Sequence, residues 1–181
     1  MKKTIGVLGA GTMGAGIAQV AAQSGHAVIL VDSNSQQLEK AQVALGVILS
    51  KLFEKEKITA VEKLAIENRI QYANNLEDFA PCDLVIEAIV EDLAVKNAVF
   101  HTMERHVSKQ CILASNTSSL SIASIGSVLE NPDRIIGIHF FNPAPLMPLV
   151  EVIPSVQTSA VVLNDIVNLI RSWNKTVVVC K

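Results

Sequence analysis

From residue 4 onward, short apolar runs alternate with longer stretches in which apolar residues recur at helical spacing. Thr4–Leu8 and Ala27–Val31 read as short buried strands, and the stretch between them reads as a helix to about residue 24. Gly25 is placed to stop that helix in left-handed backbone. Further strands are expected at 83–88, Ile112–Ser115, 134–140, 149–153 and 176–180. Long helices are expected at 35–57, 91–107 and 159–173, with a short one at 122–127. Thr59-Ala-Val-Glu62 is a capping box opening another helix to about residue 67, and Asn174 is a left-handed stop after the last one. Strand–helix alternation of this kind predicts an α/β fold with a doubly wound, mostly parallel sheet. No Pro-, Gly- or Ser-rich linker and no internal repeat divides residues 1–181, which read as one domain. The helical pair at about 35–68 exceeds what a crossover requires, and reads either as a solvated excursion or as a substrate-binding arm.

Composition narrows the class. Half of the 181 residues are apolar and 18% are charged, so a sizeable core is available and a disordered chain is excluded. A formal net charge of -2 gives no footprint for nucleic acid or an anionic membrane. Cys82, Cys111 and Cys180 form no C-x-x-C pair and read as reduced thiols in a cytoplasmic protein, the first two as small core residues. The apolar stretch from Ile5 to Ala22, preceded by Lys2 and Lys3, superficially resembles an export signal. Its five glycines mark a turn instead, so the protein is expected to be soluble and unexported. No metal-ligand spacing is present.

Gly9-Ala10-Gly11-Thr12-Met13-Gly14 follows the first expected strand and opens the first expected helix. In a dinucleotide site Gly9 permits the tight turn, Gly11 lets backbone approach a pyrophosphate, and Gly14 lets the helix pack on the strand. The helix N-terminus offers free N–H groups to phosphate. Asp32 lies at the end of the second strand, 18 residues past Gly14, where an acid bonds both ribose hydroxyls; the alternative is a helix cap for the next element. A carboxylate there repels the 2′-phosphate of NADP, so a Rossmann-type fold binding NAD is expected.

His139 interrupts the apolar run 135–141, and Glu151 interrupts 149–153. Ionisable groups in such runs are costly unless paired. Taken singly, His139 reads as a satisfied core histidine and Glu151 as a strand-edge surface residue. Twelve residues apart across a proline-braced turn, the two are able to share a hydrogen bond, the arrangement for taking a proton from a hydroxyl.

Three stretches resemble the 3-hydroxyacyl-CoA dehydrogenase family, in particular its bacterial 3-hydroxybutyryl-CoA members: Glu87-Ala-Ile-Val-Glu91 with Lys96, Ser115-Asn-Thr-Ser118-Ser119, and His139-Phe-Phe-Asn142-Pro-Ala-Pro-Leu-Met-Pro-Leu-Val-Glu151. The resemblance runs from Gly6 to Cys180. It implies oxidation of a (3S)-3-hydroxyacyl-CoA by NAD to the 3-ketoacyl-CoA, with His139 as base, Glu151 orienting it, and Ser118 bonding the substrate oxygen near the nicotinamide. Glu91, Lys96 and Asn142 would position the nicotinamide ribose side. Against these roles, Glu91 and Asp92 are also suited to a helix N-terminus, and Ser118 or Ser119 to helix caps. Lys55 on the helical arm is the candidate for CoA phosphate, although Ile48 stands where relatives often carry a serine, and a solvated lysine face is the other reading. The resemblance further implies a helical C-terminal domain, with the homodimer interface and an active-site asparagine, that these residues do not include. Two other readings stay open: a β-hydroxyacid dehydrogenase acting on free acids, and a non-catalytic dinucleotide-binding fragment or crystallin-like relative.

Overall fold

The computed structural model describes residues 2–180. Eight strands form one sheet: β1 (Thr4–Leu8), β2 (Ala27–Val31), β3 (Ile70–Ala73), β4 (Leu84–Glu87), β5 (Ile112–Ser115), β6 (Ile135–Phe140), β7 (Leu149–Pro154) and β8 (Thr176–Val179). Their order is β3-β2-β1-β4-β5-β6-β7-β8. All neighbours pair in parallel except β6 with β7, which are antiparallel. The six helices are α1 (Thr12–Gln23), α2 (Ser35–Glu54), α3 (Ala60–Asn68), α4 (Leu93–Met103), α5 (Ile122–Gly126) and α6 (Ala160–Ser172).

The strands read as continuous apolar runs because both sheet faces are covered. Val28 and Leu30 of β2 join a core shared with α1, α2 and α6, whereas Ile29 and Val31 point to the opposite core with Phe100 and Met103 of α4. Fully burying each such side chain contributes about 1.5–3 kcal/mol. The chain winds from β1 out to β3, then returns to place β4 on the other side of β1. Between β1 and β4 the winding reverses, and the crevice above the carboxyl ends of these strands is where doubly wound sheets bind ligands.

Helix ends account for most departures from the sequence reading. Helix α1 stops as expected, with Gly25 at φ 90°. Helix α2 ends at Glu54, short of residue 57, because Glu56 turns left-handed at φ 54°. Its N–H then bonds the Phe53 carbonyl while that of Lys57 reaches back to Leu52, satisfying the last carbonyls. A left-handed glutamate carries no sequence signal. Asn174, at φ 57°, ends α6 as expected. Helix α4 starts only at Leu93, since Asp92 takes extended backbone and caps Val95 N–H. Strand β3 was not anticipated. It is an edge strand of four residues paired to β2 alone, too short and too mixed in polarity to stand out.

The helical pair is not a free excursion. Leu38, Ala41, Leu45 and Leu49 form a stripe at helical spacing that is buried against the core containing α1. Its outer face exposes Val43, Val47 and Phe53. Cys82 and Cys111 are buried free thiols, and burial pushes each up to about 12, as small core residues rather than nucleophiles. Among the described residues no helix is long and apolar enough to cross a membrane.

Candidate active site

The glycine turn follows β1 directly. Gly9 sits at φ 101°, a conformation open to glycine, and its N–H bonds the Val31 carbonyl. A Cβ on Gly14 would lie 1.7 Å from the Gly9 carbonyl oxygen, so helix and turn pack backbone on backbone. Gly11 is different: a Cβ there would meet nothing within 4 Å. Its ordinary φ of -67° makes room, not conformational freedom, the reason for glycine. Gly11 caps α1 without a side-chain bond, and no acid lies in the first turn. The N–H groups around Thr12 and Met13 therefore open onto unfilled space with the positive end of the helix behind them. Such a helix start is a cradle suited to a phosphate group.

Asp32 at the end of β2 accepts Ala10 N–H on one oxygen at 2.8 Å and Asn34 N–H on the other at 2.9 Å. It does not cap α2; Asn34 does, accepting from Gln36 N–H. Two carboxylate oxygens have room for further donors beyond these two bonds. Asp32 thus ties β2 to the turn and keeps capacity for ribose hydroxyls.

Strands β6 and β7 supply the other wall. His139 and Glu151 are direct partners in the antiparallel register, so their side chains leave the same face of the sheet. His139 Nδ1 and Glu151 Oε2 are 2.8 Å apart. The imidazole is 16% and the carboxylate 32% exposed, so the pair lies outside the core, with the imidazole lining a cavity. With Nδ1 committed to Glu151, Nε2 is the ring nitrogen left for another partner. The Phe141 ring leans on the imidazole at 4.6 Å between centroids, and Asn116 accepts Phe140 N–H to pin the end of β6.

Between the two walls lies a cavity of about 290 Å³. Met13 of the turn, Glu91, Lys96, Ser118, His139 and Asn142 line it, so residues from four separate strand ends converge. Glu91 neither caps α4 nor lies free. It accepts the Thr117 hydroxyl, Ser118 N–H at 3.2 Å and the Ser119 hydroxyl at 3.3 Å. Burial pushes its carboxyl up, but the Thr117 hydroxyl, the Lys96 ammonium and Ser118 N–H outweigh this and hold it below the usual carboxylate range. Ser118 and Ser119 are not helix caps either; Ser121 caps α5.

The groups beneath this floor lie in the quoted stretches, but no role attached to them there. Glu87 and Ser115 are fully buried, and Thr117 nearly so. Glu87 takes three bonds, from Lys96 Nζ, Ile89 N–H and the Ser115 hydroxyl. An acid closing an apolar strand was the available signal. Lys55, in contrast, lies outside the cavity, at the C-cap of α2 and exposed.

A second, apolar groove of about 490 Å³ runs between α1, α2 and the proline turn, with Gly16, Leu45, Ile48, Leu52 and Leu146 among its walls. Asn142 lines both spaces. Lys175 Nζ holds the turn by bonding the Ala144 and Met147 carbonyls. Among the described residues no group of three or more His, Cys, Asp or Glu side chains is placed to hold a metal ion.

Residues 4–181 match the family model described as 3-hydroxyacyl-CoA dehydrogenase, NAD binding domain. A probable 3-hydroxybutyryl-CoA dehydrogenase of Deinococcus radiodurans is 43% identical over 97% of this chain and 63% of its own length. A 3-hydroxyadipyl-CoA dehydrogenase of Escherichia coli is 41% identical over 98% of this chain and 38% of its own length. The crystal structure of 3-hydroxybutyryl-CoA dehydrogenase from Escherichia coli superposes with a TM-score of 0.97 at 40% identity, covering 99% of this chain and 38% of that one. The chain thus spans less than two thirds of each of these relatives. The chain belongs to the 3-hydroxyacyl-CoA dehydrogenase family, of which it matches the NAD-binding domain.

Proposed function

We propose that this chain provides the NAD site and the general base for reversible oxidation of a (3S)-3-hydroxyacyl-CoA to the 3-ketoacyl-CoA. The observation that carries this is His139, bonded to Glu151 at 2.8 Å and lining a cavity that reaches Met13 of the glycine turn. NAD, when bound, supplies the acceptor for the hydride leaving C3. Gly9, Ala10, Gly11, Thr12, Met13 and Gly14 hold its pyrophosphate, Asp32 its adenosine ribose, and Glu91 and Asn142 the nicotinamide side. Lys96 acts there through Glu91, from 3.3 Å away.

His139 Nε2 takes the proton of the 3-hydroxyl. Glu151 keeps Nδ1 protonated and stabilises the imidazolium that forms. Ser118 stands in the same cavity and donates to the substrate oxygen, so that the developing carbonyl is held from two sides. Ile89, Phe140 and Phe141 make the remaining walls apolar and keep water from the reacting carbon.

The apolar groove past Asn142 suits the acyl-pantetheine portion, and Lys55, one turn beyond Leu52, is offered as a contact for CoA phosphate. The names of the relatives, butyryl in one and adipyl in the other, leave the acyl chain open. A cytoplasmic location, a helical C-terminal domain and a homodimer formed through it belong to the same proposal. Membership of the family supports the acyl-CoA reading over the free-acid one, and the intact dyad argues against a non-catalytic module. The test is NADH oxidation with acetoacetyl-CoA, on this chain and on one extended by a relative's second domain. The extended protein should turn over, and the chain alone should bind NADH with little turnover. Full turnover by the chain alone would show the active site to be misplaced.

A further inference from the structure

Glu87 has no part in the mechanism above, yet its burial is complete. Its neighbour Lys96 is 1% exposed, a rare position for a lysine, and divides its ammonium between Glu87 at 2.5 Å and Glu91 at 3.3 Å. A chain of carboxylate, ammonium and carboxylate therefore runs from inside the sheet to the wall of the cavity, which Lys96 and Glu91 both line. Its formal charge is -1, wherever the protons of the buried pair reside. Without Glu87 the remainder would be neutral.

Stability does not explain this arrangement. A buried ion pair is often no better than apolar side chains of the same volume, which fill the rest of this strand. Electrostatics at the cavity does explain it. If the cavity takes the nicotinamide, as the proposed function requires and as this inference assumes, the ring inside is a cation when oxidised and neutral when reduced. His139 apart, the other lining residues, Met13, Ala88, Ile89, Asn116, Ser118, Phe140, Phe141 and Asn142, carry no charge. The geometry points to Glu87 as a positioning residue that sets the redox preference of the site: by cancelling Lys96, it leaves the negative charge of Glu91 uncompensated beside the ring and favours NAD+ over NADH. Between partly apolar walls this field is screened less than in water.

The experiment titrates NAD+ and NADH separately into the chain and its variants and compares the two dissociation constants. In Glu87→Gln the ratio of the NAD+ constant to the NADH constant should rise roughly tenfold, the effect of one unit charge several ångströms away at an intermediate dielectric. For a two-electron couple that corresponds to about 30 mV upward in the potential of the bound cofactor. The double variant Glu87→Gln with Lys96→Met again carries -1, and its ratio should return to the wild-type value even where both affinities have fallen. Lys96→Met alone carries -2 and should move the ratio the opposite way, which keeps the test available if Glu87→Gln does not fold. An unchanged ratio in the single variants, or a double variant that stays with Glu87→Gln, would reduce Glu87 to a structural part and overturn the proposal. Wild-type chain that binds neither cofactor would instead sink the parent reading, and this one with it.

Discussion

The two walls of the crevice are built from different materials. On the β1–β2 side the groups offered to the crevice are backbone N–H donors, open because Gly11 carries no side chain, while Gly9 and Gly14 let the turn and helix pack closely behind them. On the β6–β7 side stand two side chains, His139 and Glu151, brought opposite each other by an antiparallel register. A backbone cradle fails when something is added to it, whereas a side-chain dyad fails when something is taken away. Substitutions on the two sides should therefore separate binding from turnover.

The largest effect is expected on the dyad. In the chain extended by a relative's second domain, His139→Gln should lower turnover about 10²–10⁴-fold, the usual loss for a positioned general base, while NADH affinity changes little. Glu151→Gln should also slow turnover, and the double variant should be hardly worse than His139→Gln alone, because Glu151 acts through the histidine. Steady-state kinetics on the four proteins decides it, and strictly additive losses would mean that the two residues work independently.

Next comes the cradle, where two glycines should behave in opposite ways. Gly14→Ala drives a methyl into the Gly9 carbonyl and should cost about 3 kcal/mol or more of folding stability. Gly11→Ala meets nothing in the free protein and should change stability by less than about 0.5 kcal/mol, yet weaken NADH binding by roughly tenfold. Denaturant melts paired with NADH titrations read both quantities. Equal destabilisation by the two would contradict the division between packing glycine and access glycine.

Asp32 joins the two kinds of construction, since its carboxylate braces the turn and is also offered to the ribose. The wild-type chain should bind NADH ahead of NADPH, and Asp32→Ala should narrow that gap by roughly tenfold, with some loss of stability from the freed Ala10 N–H. Calorimetric titration of both cofactors checks this; an unchanged preference would remove the ribose role.

The smallest effect lies away from the crevice. His26 is buried against Trp173 and accepts Lys3 N–H on Nδ1, and burial holds its pKa below 6.5. Below 6.5 the unfolded chain then binds a proton that the folded chain refuses. Its contribution is present above that pH and is lost as pH falls toward the folded-state value. Thermal melts from about pH 7 to pH 5 should show a shallow acid-side loss that His26→Gln reduces. An identical slope in the variant would assign the loss to other groups.

The cradle was legible because its requirements are local. A tight turn, a close helix approach and a helix N-terminus each demand particular residues at fixed spacing, and Asp32 follows one strand later. The His139–Glu151 pair was legible for a different reason: each ionisable group sits where an apolar strand makes it costly, so a partner was implied. Lys96 and Glu91 were visible as candidates only through the family's pattern. That Glu91 gathers Thr117, Ser118 and Ser119 depends on β4 and β5 lying side by side.

By itself, then, the sequence determined the layered α/β architecture, the glycine turn between β1 and α1 and the pairing of His139 with Glu151, since all three follow from periodicity, spacing and the cost of burying charge. Only the tertiary structure decided the rest. Strand β3 exists because β2 offers an open edge, and α2 stops where Glu56 accepts a left-handed backbone. Glu87 closes an apolar strand, and nothing along the chain says which cation neutralises it. The β4–α4 turn folds Lys96 back over it, and the adjacent strand end delivers the Ser115 hydroxyl to its other oxygen. Electrostatic pairing of this kind is set by distance in space, which residue order alone does not specify.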